Sequence, residues 1–179
     1  MIIGIPKETK NNENRIALTP DKVEILTQAN HKVLIEENAA INSGFTNEEY
    51  NNAGASILPN PKEIYLNSNL IVKVKEPQPS EYEYLNKKTI MFCYLHLASN
   101  LELTKQLIKK NVTSIAYETI VNPNGKLNLL YPMSEIAGKM AALNAAQLLT
   151  NKSGGQGKLL SGVVGTLKAK ILIIGCGTV

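Results

Sequence analysis

Four ionisable residues stand where chemistry could be done, each beside a short apolar run: Arg15, Lys75, His96 and Glu118. Arg15 closes a charged loop, Lys7 to Arg15, that follows Ile2–Ile5. A guanidinium fork is a natural clamp for a substrate carboxylate. A loop arginine can equally be solvated, and Arg15 taken alone leaves both readings open. Lys75 ends the run Ile71-Val72-Lys73-Val74-Lys75, which Glu76-Pro77 stops. Burying an unpaired ammonium is costly, so a lysine closing an apolar strand is unusual. Lys75 is therefore read as functional, and Lys73, expected on the same strand face, as solvent-facing. His96 directly follows Met91–Leu95. It could be a satisfied core group, but it is also the side chain that passes protons in both directions near neutrality. Beside Arg15 and Lys75 the acid–base reading is favoured. Glu118, after Tyr117, is either a partner that orients a neighbour or a loop charge.

The remaining candidates are weaker. His31 follows Ala29-Asn30 at an expected helix end, where a histidine complements the dipole, and it is read as structural. Two distant histidines and two cysteines in apolar segments make no metal site of recognisable spacing, so no metal is expected. Cys93 and Cys176 are expected to be buried free thiols rather than a disulfide framework.

The elements that must position these groups alternate along the chain. Candidate strands are Ile2–Ile5, Lys32–Glu36, Leu70–Lys75, Thr89–Leu95, Thr113–Tyr117 and Ile171–Ile174. Thr19-Pro20-Asp21 predicts a side-chain cap, a proline at the first helical position and an acid in the first turn. Asn100 is expected to cap the next helix, with Leu103 and Leu107 on one face and Lys109 and Lys110 at its negative end. A longer helix is expected from Ser134, after Pro132, with Glu135 in its first turn and an apolar stripe of Ile136, Met140 and Leu143. Ser153-Gly154-Gly155-Gln156-Gly157 then breaks it. Such alternation predicts an α/β, Rossmann-like, mostly parallel sheet with helices on both faces. In such sheets ligands bind outside the carboxyl ends of the strands, and all four ionisable residues are expected on that rim.

Bulk properties exclude several function classes. The 179 residues suit one domain, or one domain and the start of another. Hydrophobic residues are 44% and charged residues 19%, an ordinary globular balance. The net charge of +4 raises the question of nucleic acid, but the lysines are scattered, Trp is absent and only two Phe occur. Neither a basic stripe nor a stacking platform results, and nucleic acid is not expected as a partner. No stretch approaches the ~20 apolar residues of a membrane span, so no membrane partner and a cytoplasmic location are expected.

Two glycine clusters could meet phosphate. Gly154-Gly155-Gln156-Gly157-Lys158 lacks the earlier glycine and the following Ser or Thr of a Walker loop, so that reading fails. The chain's last residues differ: the apolar Ile171–Ile174 runs into Gly175-Cys176-Gly177, the opening of a dinucleotide fingerprint.

Taken in order, these segments resemble the alanine dehydrogenases. The matching stretches are Ile3-Gly4-Ile5-Pro6-Lys7-Glu8 through Asn12-Glu13-Asn14-Arg15 to Pro20, then Lys73-Val74-Lys75-Glu76-Pro77 and Tyr94-Leu95-His96-Leu97-Ala98. Ala116-Tyr117-Glu118-Thr119, Pro132-Met133-Ser134-Glu135-Ile136-Ala137-Gly138 and Gly175 to Val179 follow. The resemblance implies NAD-dependent, reversible oxidative deamination of L-alanine to pyruvate and ammonia. It implies that Arg15 and Lys75 bind the substrate carboxylate and carbonyl oxygen and that His96 is the general acid/base. Met133 and Ser134 would lie at a domain junction near cofactor and substrate, with Ser134, Gly175 and Gly177 on the NAD side and Glu118 in support. It further implies a substrate domain over residues 1–132, a linker helix over 133–152 and the start of an NAD-binding domain over 153–179, and a homo-oligomer for the full-length enzyme. A fragment of a transhydrogenase alpha-type subunit and a non-catalytic remnant are the alternatives. Because family members continue through a full dinucleotide-binding domain, the 179-residue chain alone is expected to be inactive and prone to association.

Overall fold

Apolar β-branched runs pair side by side in the computed structural model, which describes residues 1–175 and 177–179. The strands are β1 (Ile2–Ile5), β2 (Lys32–Glu36), β3 (Ser56–Leu58), β4 (Leu70–Lys75), β5 (Ile90–Tyr94) and β6 (Thr113–Ala116). They form one sheet in the order β3-β2-β1-β4-β5-β6, and every pairing is parallel. The α/β, parallel-sheet expectation therefore stands. Strand order reverses between β1 and β4, the position at which open α/β sheets hold ligands.

The helices are α1 (Pro20–Gln28), α2 (Asn47–Asn52), α3 (Pro61–Asn67), α4 (Leu101–Lys109) and α5 (Tyr131–Leu148). Alternation along the strands divides the core in two. Ile3, Ile5, Val33 and Ile35 pack with Val23 of α1 and Tyr50 of α2. Leu34, Ile71, Met91 and Cys93 pack with Ile64 and Tyr65 of α3 and Leu103 and Leu107 of α4. Both faces of the sheet are thus covered, and the Cys93 thiol is buried and free. Gly4 permits the close seating of α3. A Cβ there would meet Ser68 Oγ and would lie 2.8 Å from Ile64 Cγ2.

Helix starts follow local chemistry, with exceptions. Asn100 caps α4 through the Leu103 amide at 3.0 Å, and Lys109 lies in its last turn. Thr19 occupies the cap position of α1 but makes no side-chain cap. Its hydroxyl donates instead to the Asp21 carboxylate. His31 follows the end of α1, where its amide donates to the Leu26 carbonyl at 3.0 Å, and its Nδ1 sits 3.4 Å from the Met1 amino group.

The chain divides into two compact units, Met1–Thr119 and Ile120–Val179. The second holds α5, which begins at Tyr131 rather than Ser134 and places Pro132 in its opening turn. Glu135 consequently falls beyond that turn, where it pairs with Lys139 at 2.7 Å. Ile136, Met140 and Leu143 are exposed. The expected strand Ile171–Ile174 is not formed, and its four residues are exposed. A strand exists only through ladder partners, and no described segment pairs with this one. Cys176 lies outside the described residues.

Candidate active site

Loops leaving β1, β4, β5 and β6 carry the expected site residues to one edge of the sheet. Arg15 ends the loop after β1, Lys75 is the last residue of β4, His96 comes two residues after β5, and Glu118 lies in the 3-10 turn Tyr117–Thr119 after β6. These four strands are parallel neighbours, so their carboxyl ends share a rim. The site expectation for Met133, Ser134, Gly175 and Gly177 falls in the second unit: Met133 and Ser134 are half-buried in the first turns of α5, while Gly175 and Gly177 lie in irregular, exposed chain.

His96 is set by its backbone. It adopts a left-handed conformation, φ 49° and ψ 38°, which non-glycine residues seldom take. Glu118 holds it there: its Oε1 accepts the His96 amide at 2.6 Å, and both carboxylate oxygens accept the Leu95 amide at 3.2 Å. The two amides that would otherwise continue the β5 ladder thus end on a carboxylate, and Glu118 is the orienting partner rather than a loop charge. The exposed imidazole stacks on Tyr94, with ring centroids 6.1 Å apart and planes 15° apart. A hollow lined by His96, Leu97, Ser99, Ala116 and Glu118 opens beside it.

Arg15 is held by Glu13. Its Nε donates to Oε1 at 2.8 Å and its Nη2 to Oε2 at 2.6 Å. The hydrogen bond from Arg15 holds the Glu13 carboxyl below its ordinary range against the opposing effect of burial, with Lys75 adding a smaller contribution. Arg15 and Lys75 therefore both bear on one carboxylate. Lys75 is half-buried, and its ammonium makes no hydrogen bond or ion pair among the described residues.

Lys73 is not solvent-facing. It is 1% exposed, and its ammonium lies 2.9 Å from Glu81 and 3.6 Å from Glu8. A buried charge needs such partners. Glu81 also accepts from the Tyr65 hydroxyl at 3.0 Å, the Thr9 hydroxyl at 2.8 Å and the Gln78 amide at 2.9 Å. The expectation for Lys73 failed because β4 is a central strand covered on both faces, which leaves no solvent-facing side; its register with β5 also shifts between Val72 and Lys75.

Three rim residues escaped sequence reasoning. Tyr94 pairs in register with Lys75 and contacts Tyr117 edge-on at 5.0 Å. Burial raises its phenol, and Arg15 opposes that rise. Glu76 is buried and takes Lys10 at 2.5 Å. Burial pushes its carboxyl up, but Lys10, with a smaller contribution from His96, outweighs that and leaves it lowered. Glu13 itself was visible two residues before Arg15, a spacing that permits a local clamp.

Sheet order and rim together define an α/β domain whose adjacent parallel strands carry Arg15, Lys75, His96 and Glu118 at one edge. Residues 4–137 match the family described as "Alanine dehydrogenase/PNT, N-terminal domain", and the chain belongs to that family. It is 52% identical over 179 residues to an alanine dehydrogenase of Bacillus subtilis, covering all of this chain and 47% of the relative. An alanine dehydrogenase of Methanococcus maripaludis is 50% identical, again over all of this chain and 48% of the relative. A solved L-alanine dehydrogenase superposes with a TM-score of 0.87 at 46% identity, over 94% of this chain and 46% of that one. A transhydrogenase from Sinorhizobium meliloti shares the fold, with a TM-score of 0.72 at 23% identity over 82% and 44%. The chain spans about half the length of the curated relatives it matches. No helix among the described residues is long and apolar enough to cross a membrane.

Proposed function

We propose that this chain carries the substrate-binding and acid–base part of an NAD-dependent alanine dehydrogenase, which interconverts L-alanine with pyruvate and ammonia. The observation that supports it most is that Arg15, Lys75 and His96 stand at or just beyond the carboxyl ends of three adjacent parallel strands, two of which flank the switch point. Arg15 would orient the substrate carboxylate. Lys75, whose ammonium has no partner among the described residues, would take the carbonyl oxygen of pyruvate. His96, exposed beside the hollow, would move the proton at the amino-bearing carbon centre. Glu118 and Tyr94 would hold the imidazole, one through the backbone and one through the ring. Residues 1–132 would serve as the substrate domain and 133–152 as a linker, with Met133 and Ser134 facing the cofactor. Assembly into a homo-oligomer belongs to the same reading.

When bound, NAD would supply the hydride acceptor. The described residues do not fit that group: a pyrophosphate cradle needs a strand, a glycine turn and a helix N-terminus in succession. Here Ile171–Ile174 forms no strand. Gly175, with φ 108°, has nothing within 4 Å of the place a Cβ would occupy. Gly175 and Gly177 are therefore proposed as NAD contacts on the resemblance alone.

Isothermal titration of the chain with pyruvate tests the reading. Arg15→Ala and Lys75→Ala are each expected to weaken binding about ten-fold or more, as loss of a charge-assisted contact does. Unchanged affinity in both variants would overturn it.

A further inference from the structure

β4 carries one residue too many. It meets β5 at Val72↔Phe92 and again at Lys75↔Tyr94, three steps on one strand against two on the other. On its other side β4 meets β1 only at Ile3↔Leu70 and Gly4↔Ile71, so beyond Ile71 no β1 residue pairs with it. A bulge at a point where neighbouring strands diverge leaves amides without ladder partners, and buried amides require acceptors. Glu8 reaches into this gap from the loop after β1. Its Oε1 accepts the Val74 amide at 2.6 Å and its Oε2 the Lys75 amide at 3.4 Å. One side chain thus replaces the carbonyls that a paired β1 would have offered.

We propose that Glu8 is a positioning residue for Lys75: by occupying both amides at the bulge, it fixes the direction in which the Lys75 side chain leaves the strand. This rests on the reading of Lys75 as a substrate-binding group. Glu8 is itself held firmly. Its side chain is 4% exposed and lies 3.6 Å from the Lys73 ammonium, and Lys73 is anchored 2.9 Å away on Glu81. The buried network is a footing beneath the rim, and Glu8 is the member that touches the backbone of a rim residue. Lys75 needs such a footing, because nothing among the described residues holds its ammonium.

Glu8→Gln keeps the size and one acceptor oxygen but loses the charge and the second acceptor. The test is a double-mutant cycle with pyruvate as the probe, titrated into the whole chain. Glu8→Gln is expected to weaken pyruvate about ten-fold when Lys75 is present and to cost nothing further in Lys75→Ala. An equal cost in both backgrounds would show a general structural role and overturn the proposal, as would no cost in either where Lys75→Ala itself weakens pyruvate. Glu8→Asp keeps the charge but falls one methylene short. It serves the same cycle, with the same expectation, if Glu8→Gln does not fold. A second measurement needs no pyruvate. After reductive methylation with 13C-formaldehyde, the Lys75 dimethylamine resonance, assigned by its absence in Lys75→Ala, is expected to move in Glu8→Gln while that of Lys22 stays. A Lys75 resonance that does not move overturns the positioning role. A resonance that moves, with pyruvate binding indifferent to Lys75→Ala, supports Glu8 while rejecting Lys75 as a pyruvate ligand.

Discussion

Residues 1–119 and residues 120–179 put their apolar side chains to different use. In the first unit Ile5, Val23, Val33, Ile64 and Met91 are completely shielded, because each strand has a neighbour and each sheet face a helix. In the second unit no described residue is buried, and Leu167, Leu172 and Ile174 are 86%, 84% and 93% exposed. Burial of apolar area is the main drive to a fixed structure. The first unit contains its own reasons to fold, and the second does not show them.

That contrast can be broken most sharply at Lys73. Lys73→Ala would leave Glu8 and Glu81 buried without their cation, and a loss of about 3–5 kcal/mol in unfolding free energy is expected by urea denaturation. A loss below about 1 kcal/mol would mean that the network does not hold the first unit together. A smaller effect is expected at the Glu13–Arg15 pair, whose arginine side chain is 47% exposed. Arg15 holds the Glu13 carboxyl below its ordinary value near 4.5. The stabilisation is therefore complete above that pH and is lost as pH falls through the lowered folded value. Thermal melts across a pH series should show the wild type's advantage over Glu13→Gln at neutrality shrinking below pH 4.5. A gap independent of pH would show that the pair is not its origin. The smallest effect belongs to the second unit. Leu143 is 63% exposed, and Leu143→Ala should change stability by less than about 0.5 kcal/mol. A larger loss would reveal a cover on that helix face and erase the contrast.

Where a local pattern and its tertiary setting agreed, the sequence was a sound guide. Ile2–Ile5, Lys32–Glu36 and Leu70–Lys75 are strands with the expected bounds. Strand β5 stops at Tyr94, one residue early, because Glu118 takes the Leu95 amide. Three-residue β3 was not read, since it has no apolar alternation of its own and pairs only with β2. The capping box of Thr46 and Glu49, which starts α2, and Asn60-Pro61 at the start of α3 are local signals that do mark helix starts in the sequence. Two failures have a single cause. Ile171–Ile174 and the alternation of Lys73 with Lys75 were both judged from one segment, whereas a strand and a bulge are relations between segments. The rim positions of Arg15, Lys75 and His96 were legible because a parallel sheet sends every strand's carboxyl end the same way.

The pairing of β1 with β4 also governs when the rim can exist. β1 meets β2 after a connection of fewer than thirty residues, and β2 meets β3 sooner still, so one wing of the sheet can assemble from the earliest part of the chain. Its other neighbour, β4, begins more than sixty residues after β1 ends. Contacts between distant parts of a chain close slowly. On the ribosome, therefore, Arg15 emerges long before Lys75, and the rim they share is among the last parts of this sheet to be made.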